Sequence, residues 1–497
     1  MSKHRSTTST TRSSPVIGVL AAAGITVSLM QTLVVPLLPD LPRLLHTTAG
    51  NASWTITATL LAGAVATPVI GRLGDLYGKR RLLLVSIALL VLGSVSCALT
   101  DSLTAMVVGR ALQGMGMSVV PLGISLMRDV VPPERLGGAL GLMSSSLGVG
   151  AALGLPAAAL IAQHADWHVL FWGAAGLGIV MALLVLFLVP GTPATAAGGF
   201  DLVGALGVGT GLVCLLLPVS KGADWGWSSP TTLGLFAAAI VVLLAWGWWE
   251  LRTSAPLVDL RTTVRRQVLM TNLASVAVGF SMYAMSLIAP QLLALPKETG
   301  YGLGQSMMAA GLWMAPSGLV MMAVSPYAAK LSAARGPKTS LLLGTLVIAA
   351  GYALALPLMG HLWGVLVVSS VVSAGIGLAY AAVPMLIMGA VPVDETAAAN
   401  GLNSLMRSIG TSASSAVVGV VLAHMTTRMG SVTVPSQAGF RTGFVLGGAG
   451  AVLAALVTLC IPGRPPHSPP ASRRPSLRSW PFERSRRWPH VSSPGQT

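Results

Sequence analysis

The residues best suited to carry out chemistry lie in a short loop between two long apolar stretches. The loop reads GRLGDLYGKRR and covers Gly71–Arg81. Three glycines permit a tight turn, the single acid can face a helix N-terminus, and the basic residues can anchor the cytoplasmic side of a membrane. Along the loop, the residues concerned are Gly71, Gly74, Asp75, Gly78, Lys79, Arg80 and Arg81. The alternative interpretation is a plain basic turn.

A second charge lies inside an apolar stretch. Arg110, in the sequence GRALQGMGMS, lies roughly 12 Å into the predicted helix at 1.5 Å per residue. An arginine within a membrane costs free energy and therefore marks a functional position by default. Gln113 and Gln31 are possible partners of its guanidinium. In the alternative interpretation, Arg110 snorkels outward and binds backbone carbonyls.

Motifs for covalent chemistry do not occur in the sequence. The segment most similar to a Walker A motif, from Gly74 to Lys79, is one residue short and lacks the Ser/Thr. No metal cluster and no nucleophile–base pair is found, and the three cysteines lack paired spacing, which favours packing. We therefore predict no enzyme, no cofactor, no metal site and no ATP-driven pump.

The composition indicates lipid as the solvent of these residues. Hydrophobic residues make up 53% of the 497 and charged residues only 9%, against about 25% charged in an ordinary soluble domain. Fourteen apolar stretches have the length of about 20 residues that a spanning helix needs. They are 15–39, 53–71, 82–100, 103–126, 137–163, 169–190, 202–220, 231–249, 267–295, 303–325, 341–360, 363–390, 400–423 and 442–461. The predicted fold class is an all-α integral membrane protein.

Basic residues are distributed unequally between the two sides of these spans. Of the 30 Lys and Arg residues, about 23 fall on one side and about five on the other, which predicts cytoplasmic termini. The net charge of +16 thus orients the chain in a membrane, and no nucleic-acid partner is predicted. The first span is expected to remain uncleaved. The basic tail at 462–497 is expected to be disordered and cytoplasmic.

An internal repeat organises the spans. Val131–Gly150 aligns without gaps with Val391–Gly410, and Gly71–Arg80 aligns with Ala329–Lys338. The offsets of 260 and 258 nearly agree, and both pairs fall in predicted cytoplasmic loops eight spans apart. Secondary transporters are commonly built from such repeats. The predicted divisions are a tail at 1–14, a six-helix bundle at 15–190, two inserted spans at 201–250, a six-helix bundle at 267–461 and the tail at 462–497.

With these features, residues 15–461 resemble the major facilitator superfamily, and in particular its fourteen-span drug:proton antiporter branch of the EmrB/QacA type. The resemblance implies that the loop at Gly71–Arg81 latches the two halves of the chain together, although Leu76 replaces a usual basic residue. It also implies that Arg110, with Gln113 and Gly114, is linked to proton transfer.

Two further spans carry motifs that resemble those of the family. Span 5 has an antiporter-like pattern, with its proline displaced by one position because Leu155 follows the second glycine. The residues of that pattern are Gly150, Gly154 and Pro156. Helix packing without directional meaning is the alternative. In span 1, Met30 occupies the place of the family's aspartate, and no acid is expected inside any span. Asp40 at the rim and Arg110 are therefore the proton-transfer candidates.

By resemblance, spans 1, 4, 9 and 12 would line the substrate cavity. Their candidate residues are Met30, Gln31, Thr32, Gln113, Met117, Asn272, Tyr283 and Tyr380. Flexible Met and Tyr among neutral polar groups favour a neutral or weakly cationic lipophilic substrate, while for each residue simple packing is the alternative. Arg407, at the start of span 13, either snorkels to the interface or pairs with Asp394 or Glu395.

These features together predict a secondary active exporter. The expected function is proton-driven efflux of small lipophilic drugs or antibiotics by alternating access, from a monomer in a bacterial cytoplasmic membrane. A uniporter or exchanger of a metabolite is the first alternative, which the missing span 1 aspartate favours. A membrane receptor or lipid-handling protein is the alternative of another class.

Overall fold

A computed structural model describes residues 7–34, 37, 40–194, 196, 198–429 and 432–462. Within them, fourteen helices are long and apolar enough to cross a membrane, which confirms the predicted number of spans. Of the predicted N-terminal tail, residues 1–6 lie outside the described residues, whereas 7–14 belong to the first helix, so the predicted tail is shorter than expected. Of the segment 462–497, residues 463–497 lie outside the described residues.

The helices follow one another with short connections. In chain order they are α1 (Thr7–Thr32), α2 (Leu41–Leu44), α3 (Ala49–Ala52), α4 (Trp54–Tyr77), α5 (Lys79–Ala98), α6 (Leu103–Met115), α7 (Val119–Val130), α8 (Pro133–His164), α9 (His168–Leu188), α10 (Leu202–Trp225), α11 (Pro230–Glu250), α12 (Leu260–Thr263), α13 (Arg266–Ala294), α14 (Met307–Arg335), α15 (Pro337–Leu358), α16 (Leu362–Met388), α17 (Thr396–His424) and α18 (Gln437–Leu459). Short 3₁₀ turns at Gly116–Ser118, Lys297–Thr299 and Val393–Glu395 complete the helical structure. The first of these turns divides span 4 into α6 and α7.

Several helix ends differ from the sequence-based expectation. α1 begins at Thr7 instead of 15, α4 continues to Tyr77 instead of 71, and α14 continues to Arg335 instead of 325. α1 ends at Thr32 rather than near position 39, because the prolines that follow lack the N–H that a helix needs. Between α17 and α18, strands β1 (Thr426–Met429) and β2 (Val432–Pro435) form an antiparallel hairpin that we did not predict. Its signal was present, since Thr and Val residues flank a Gly-Ser pair in TTRMGSVTVP.

Two large apolar cores and two smaller ones, the fourth formed by Ala328, Leu378 and Ala381, hold the described helices together. The first core draws mainly on residues between Val16 and Val189, and the second on residues between Val268 and Ile461. The third joins the inserted helix α10 to α4 and α17, through apolar residues such as Val208 and Leu402. On α11, by contrast, Leu244 and its neighbours are exposed, as expected of a helix that faces lipid.

The repeat found in the sequence recurs in the packing. A Cβ on Gly71 would lie 2.7 Å from the carbonyl oxygen of Ala397, and a Cβ on Gly137 would lie 3.7 Å from the Ala329 Cβ. By the repeat alignment, Gly71 corresponds to Ala329 and Gly137 to Ala397. Equivalent positions therefore meet where α4 packs on α17 and where α8 packs on α14.

We predict that a larger residue at Gly318 destabilises the fold. A Cβ there would lie 2.6 Å from the Gly148 carbonyl oxygen across the α8–α14 interface, so Gly318→Leu overpacks this contact and costs about 1–3 kcal/mol. The thermal unfolding midpoint of the purified protein in detergent measures this cost. Gly176→Leu is the matched control, because no atom lies within 4 Å of its added Cβ. Equal midpoints for the two variants would contradict the prediction.

Candidate functional site

Asp75 lies in the last turn of α4 and its side chain is 0% exposed. Its carboxylate accepts hydrogen bonds from the backbone N–H groups of Ala397 at 3.0 Å and Ala398 at 2.9 Å. Both N–H groups belong to the first turn of α17, where unpaired donors and the helix dipole favour negative charge. The first half of the chain therefore holds the N-terminus of a helix of the second half by one carboxylate. We define this contact as the Asp75 tie.

Basic residues surround the Asp75 tie. Lys79 Nζ lies 3.8 Å from the Asp75 carboxylate and 2.7 Å from that of Asp129, so the buried ammonium is shared between two acids. Arg128 donates to the hydroxyl of Thr396 at 2.6 Å, which adds a second polar contact between the halves. Arg80 donates instead to the carbonyl of Leu186 within the first half.

The glycines of the loop are required by close approach and by backbone conformation. Gly71 lies against Ala397, as described above, and a Cβ on Gly74 would lie 2.6 Å from a methyl group of Leu122. Gly78 has a φ of 100°, in the left-handed region that glycine adopts without strain. Gly78 ends α4, so Asp75 lies within a helix. We expected Asp75 to lie in a loop, and that expectation was wrong.

Arg110 is 1% exposed and lies between helices of the first half. Its guanidinium donates to the carbonyl oxygens of Thr55 at 3.2 Å and Met30 at 3.3 Å, and to Gln113 Oε1 at 2.7 Å. Gln113 in turn donates to Ser94 Oγ at 2.8 Å. Backbone carbonyls hold the charge, as in our alternative interpretation, but the side chain points into the bundle and not outward.

The two proton-transfer candidates do not meet. The Asp40 side chain is 61% exposed, and its carboxylate lies 3.9 Å from the Arg43 guanidinium. The expectation of no acid inside any span needs a correction, because the candidate spans contain six acids at or near their ends, namely Asp75, Asp129, Glu134, Glu250, Asp394 and Glu395. Of these, Asp75 and Glu250, the last residue of α11, are buried. Glu250 accepts from Trp246 Nε1 at 3.0 Å.

The span 5 motif packs α8 between α1 and α14. A Cβ on Gly150 would lie 2.6 Å from Ser28 Cβ on α1, and one on Gly154 would meet the Thr32 hydroxyl. Pro156 approaches Gly311 of α14, where an added Cβ would lie 3.1 Å from the proline nitrogen. These contacts describe close helix packing.

The predicted cavity residues fall into two groups. In the first half, Met30 is buried in the core, Met117 lies against Gly63, and Gln113 binds Arg110. Thr32 donates to the Leu29 carbonyl at 2.8 Å. The hydrogen bonds of the described residues give no partner for the half-buried Gln31.

The second group belongs to the second half, where Tyr380 lines a narrow central cleft and Asn272 contacts a residue of its lining. Asn272 accepts from Asn403 at 2.9 Å, and Tyr283 hydrogen-bonds Ser415. Tyr380 lines the cleft itself, between α7 and α8 of one half and α13, α16 and α17 of the other. The complete lining is Val120, Pro121, Ile124, Ser144, Leu147, Ser275, Tyr380, Val383, Pro384, Asn400, Asn403, Ser404 and Arg407. Its volume of about 20 Å³ leaves room for about one water molecule.

Arg407 lines this cleft, a position that neither sequence interpretation gave it. Its guanidinium carbon lies 5.2 Å from the centroid of the Tyr380 ring, and its Nη2 donates to Ser404 at 2.9 Å. The ion pairs of the described residues do not include Asp394 or Glu395 as its partner. The sequence signal was a charge inside a repeated segment whose counterpart, Leu147, is apolar.

The arrangement of fourteen candidate spans, an internal repeat and polar contacts between the halves defines a polytopic α-helical membrane protein. Residues 20–415 match the profile of the Major Facilitator Superfamily, and the chain belongs to this family.

Related sequences extend the comparison. An uncharacterized MFS-type transporter of Mycobacterium tuberculosis is 28% identical over 85% of this chain, which spans 61% of that protein. The Tetracenomycin C resistance and export protein of Streptomyces glaucescens is 28% identical over 84% of this chain and 77% of its own length. The Multidrug resistance protein Stp of Mycobacterium tuberculosis is 28% identical over 78% of this chain and 71% of its own length.

Solved structures show the same fold at lower identity. The proton:xylose symporter XylE has a TM-score of 0.64 at 13% identity and covers 91% of this chain and 97% of its own. The human organic anion transporter MFSD10 has a TM-score of 0.63 at 15% identity and covers 90% and 99% of the two chains.

We predict that Asp75→Asn shifts the protein toward forms in which the ends of α4 and α17 are apart. The substitution removes the negative charge that the N-terminus of α17 favours. Charged hydrogen bonds contribute about 1.5–3 kcal/mol, so we expect the ratio of the separated form to the tied form to rise about tenfold or more. Spin labels at Tyr77 and Val393, both exposed, measure the distance in a background without native cysteines. Asp101→Asn, an exposed carboxylate near His168, is the control. An unchanged distance distribution in Asp75→Asn would contradict the prediction that the Asp75 tie holds the ends of α4 and α17 together.

Proposed function

We propose that this chain is a secondary active exporter of small lipophilic compounds, which works by alternating access across a bacterial cytoplasmic membrane and is driven by the proton gradient. Its relatives include proteins named for tetracenomycin C export and for multidrug resistance. The predicted cytoplasmic location of both termini places the loop at Gly71–Arg81 on the inner side of the membrane.

The observation that carries the proposal is the Asp75 tie. It joins a helix end of one half to a helix start of the other at the predicted cytoplasmic side, and the central cleft between the halves is narrow, with a volume of about 20 Å³. In alternating access this form alternates with one in which the tie is broken and the cleft widens toward the cytoplasm. A latch of this kind is the role that the family resemblance implies for the loop.

Proton coupling requires a group that gains and loses a proton. Arginine remains protonated in proteins, so Arg110 acts in this scheme through its positive charge and its hold on the carbonyls of Met30 and Thr55. We assign the transferred proton to Asp75, because a protonated carboxyl has no negative charge to hold the N-terminus of α17. Protonation thus favours the form that opens toward the cytoplasm. Exposed Asp40 has no role in this scheme.

A uniporter or exchanger without proton coupling is the second candidate. The observation that favours it is the lining of the central cleft, which contains no carboxylate among the described residues. In that scheme the Asp75 tie still opens and closes, but substrate binding alone changes the balance between the two forms.

We predict that everted membrane vesicles carrying this protein accumulate lipophilic dyes when a proton gradient is imposed, and that a protonophore abolishes the accumulation. Asp75→Asn is expected to lower the rate at least about tenfold, by loss of charged hydrogen bonds. Arg110→Gln is expected to lower it similarly, because the carbonyls of Met30 and Thr55 lose a cationic donor. The initial rate of fluorescence change is the measurement, over a panel of neutral, cationic and anionic dyes.

Asp40→Asn is the matched control, since its carboxylate is exposed and we expect its rate to stay within about twofold of the parent, as for most surface changes. Membrane levels of each variant are compared by immunoblot. Transport that persists in full with protonophore would reject proton coupling and favour the second candidate. Absence of any dye movement in the parent would reject export of such compounds.

A further inference from the structure

The positive charge of Arg407 faces the cleft between the two halves. A guanidinium carries five N–H donors, and among the described residues Arg407 makes one hydrogen bond with them, to Ser404. The ring of Tyr380 lies against the guanidinium, 5.2 Å from centroid to Cζ, in the range of a cation–π contact. Most of its donors therefore remain for a molecule that enters the cleft.

Acidic residues of the described part of the chain do not neutralise this charge. Glu395 lies twelve positions before Arg407, which corresponds to roughly 18 Å along the axis of α17 at 1.5 Å per residue. The buried acids Asp75 and Glu250 have partners of their own. A charged side chain at membrane depth costs about 2.5–3.5 kcal/mol by insertion scales. Because no carboxylate of the described residues pairs with Arg407 to offset this cost, the position suits a site in which the ligand supplies the negative charge.

The remaining cleft residues are consistent with one anionic group on an apolar ligand. On the second half, Asn403 Nδ2 is already occupied by Asn272 and Ser275, which leaves Arg407 as the main free donor. On the first half, the lining is largely apolar and includes Val120 and Ile124. The charge therefore lies on one wall and the apolar surface on the other.

We propose that the cleft selects flat aromatic compounds that carry an anionic group, such as a carboxylate or a phenolate, and that Arg407 binds one such group. The guanidinium packed on Tyr380 offers N–H edges for the anion, with bidentate geometry available to a carboxylate, and an aromatic surface for the ring system. The apolar wall covers the rest of the ligand when the halves separate enough to admit it. This inference rests on the proposed function and replaces the expected neutral or weakly cationic substrate.

Two dyes of one scaffold test the proposal, namely anionic fluorescein and cationic rhodamine 123. Binding to the purified full chain in detergent is measured by fluorescence polarisation, and transport is measured separately in proteoliposomes. We expect tighter binding of fluorescein than of rhodamine 123. In Arg407→Gln the Kd for fluorescein is expected to rise about tenfold or more, as for loss of a charged hydrogen bond, whereas Arg407→Lys retains part of the affinity.

Further variants separate binding from folding. Arg407→Glu is expected to reverse the preference toward rhodamine 123, an effect that simple loss of structure does not produce. Arg428→Gln, on the exposed strand β1, is the matched control and should leave both Kd values unchanged. Thermal unfolding midpoints check that each variant is folded. If Arg407→Gln does not fold, the Kd of Arg407→Lys for fluorescein still tests the role of the guanidinium.

The outcomes distinguish this inference from the proposed function. Fluorescein binding that depends on Arg407, without transport in proteoliposomes, would support the site and reject the exporter. Transport of both dyes at rates indifferent to Arg407 would support the exporter and overturn the site. No detectable fluorescein binding, or tighter binding of rhodamine 123 to the parent protein, would also overturn the site.

Discussion

A charge buried in a membrane protein must find its partners inside the protein, because the hydrocarbon supplies none. This constraint decides where the buried charged residues of this protein lie. Arg110 is held by carbonyl oxygens of two other helices, and Asp75 by the free N–H groups of α17. In both cases the partner is mainly backbone, so the bond depends on where a helix ends or approaches and less on a matching side chain.

The repeat places equivalent positions in the two interfaces between the halves, but they are held differently. Where α4 meets α17, the carboxylate of Asp75 binds the helix start. Asp75 corresponds by the repeat to Ala333, so α8 and α14 lack this bond and pack through small residues such as Gly137 and Gly318. One interface thus has a polar contact that protonation can weaken, and the other has close contacts between small side chains.

Much of the fold follows from the sequence because long apolar stretches in lipid have few alternatives to helices. The fourteen spans and the motif at Gly71–Arg81 can be identified from local composition and spacing alone, although the motif belongs to the ends of α4 and α5 and not to a loop. The direction in which Arg407 points did not, because helical phase cannot be identified in spans that are apolar all round. For the same reason Met30 and Met117, predicted to line a cavity, lie packed within the first half.

The difference between Arg407 and its repeat counterpart Leu147 has a consequence for transport. Both residues line the central cleft, from opposite halves, yet only one carries donors. A ligand anion bound to both halves would join them by strong bonds and oppose the separation that alternating access requires. With the donors on α17 alone, the anion stays with one half, while the apolar wall can slide away without breaking a directional bond. Among the described residues, strong polar contacts between the halves then lie at the edge of the cleft, where Asp75 binds the start of α17 and Arg128 binds Thr396.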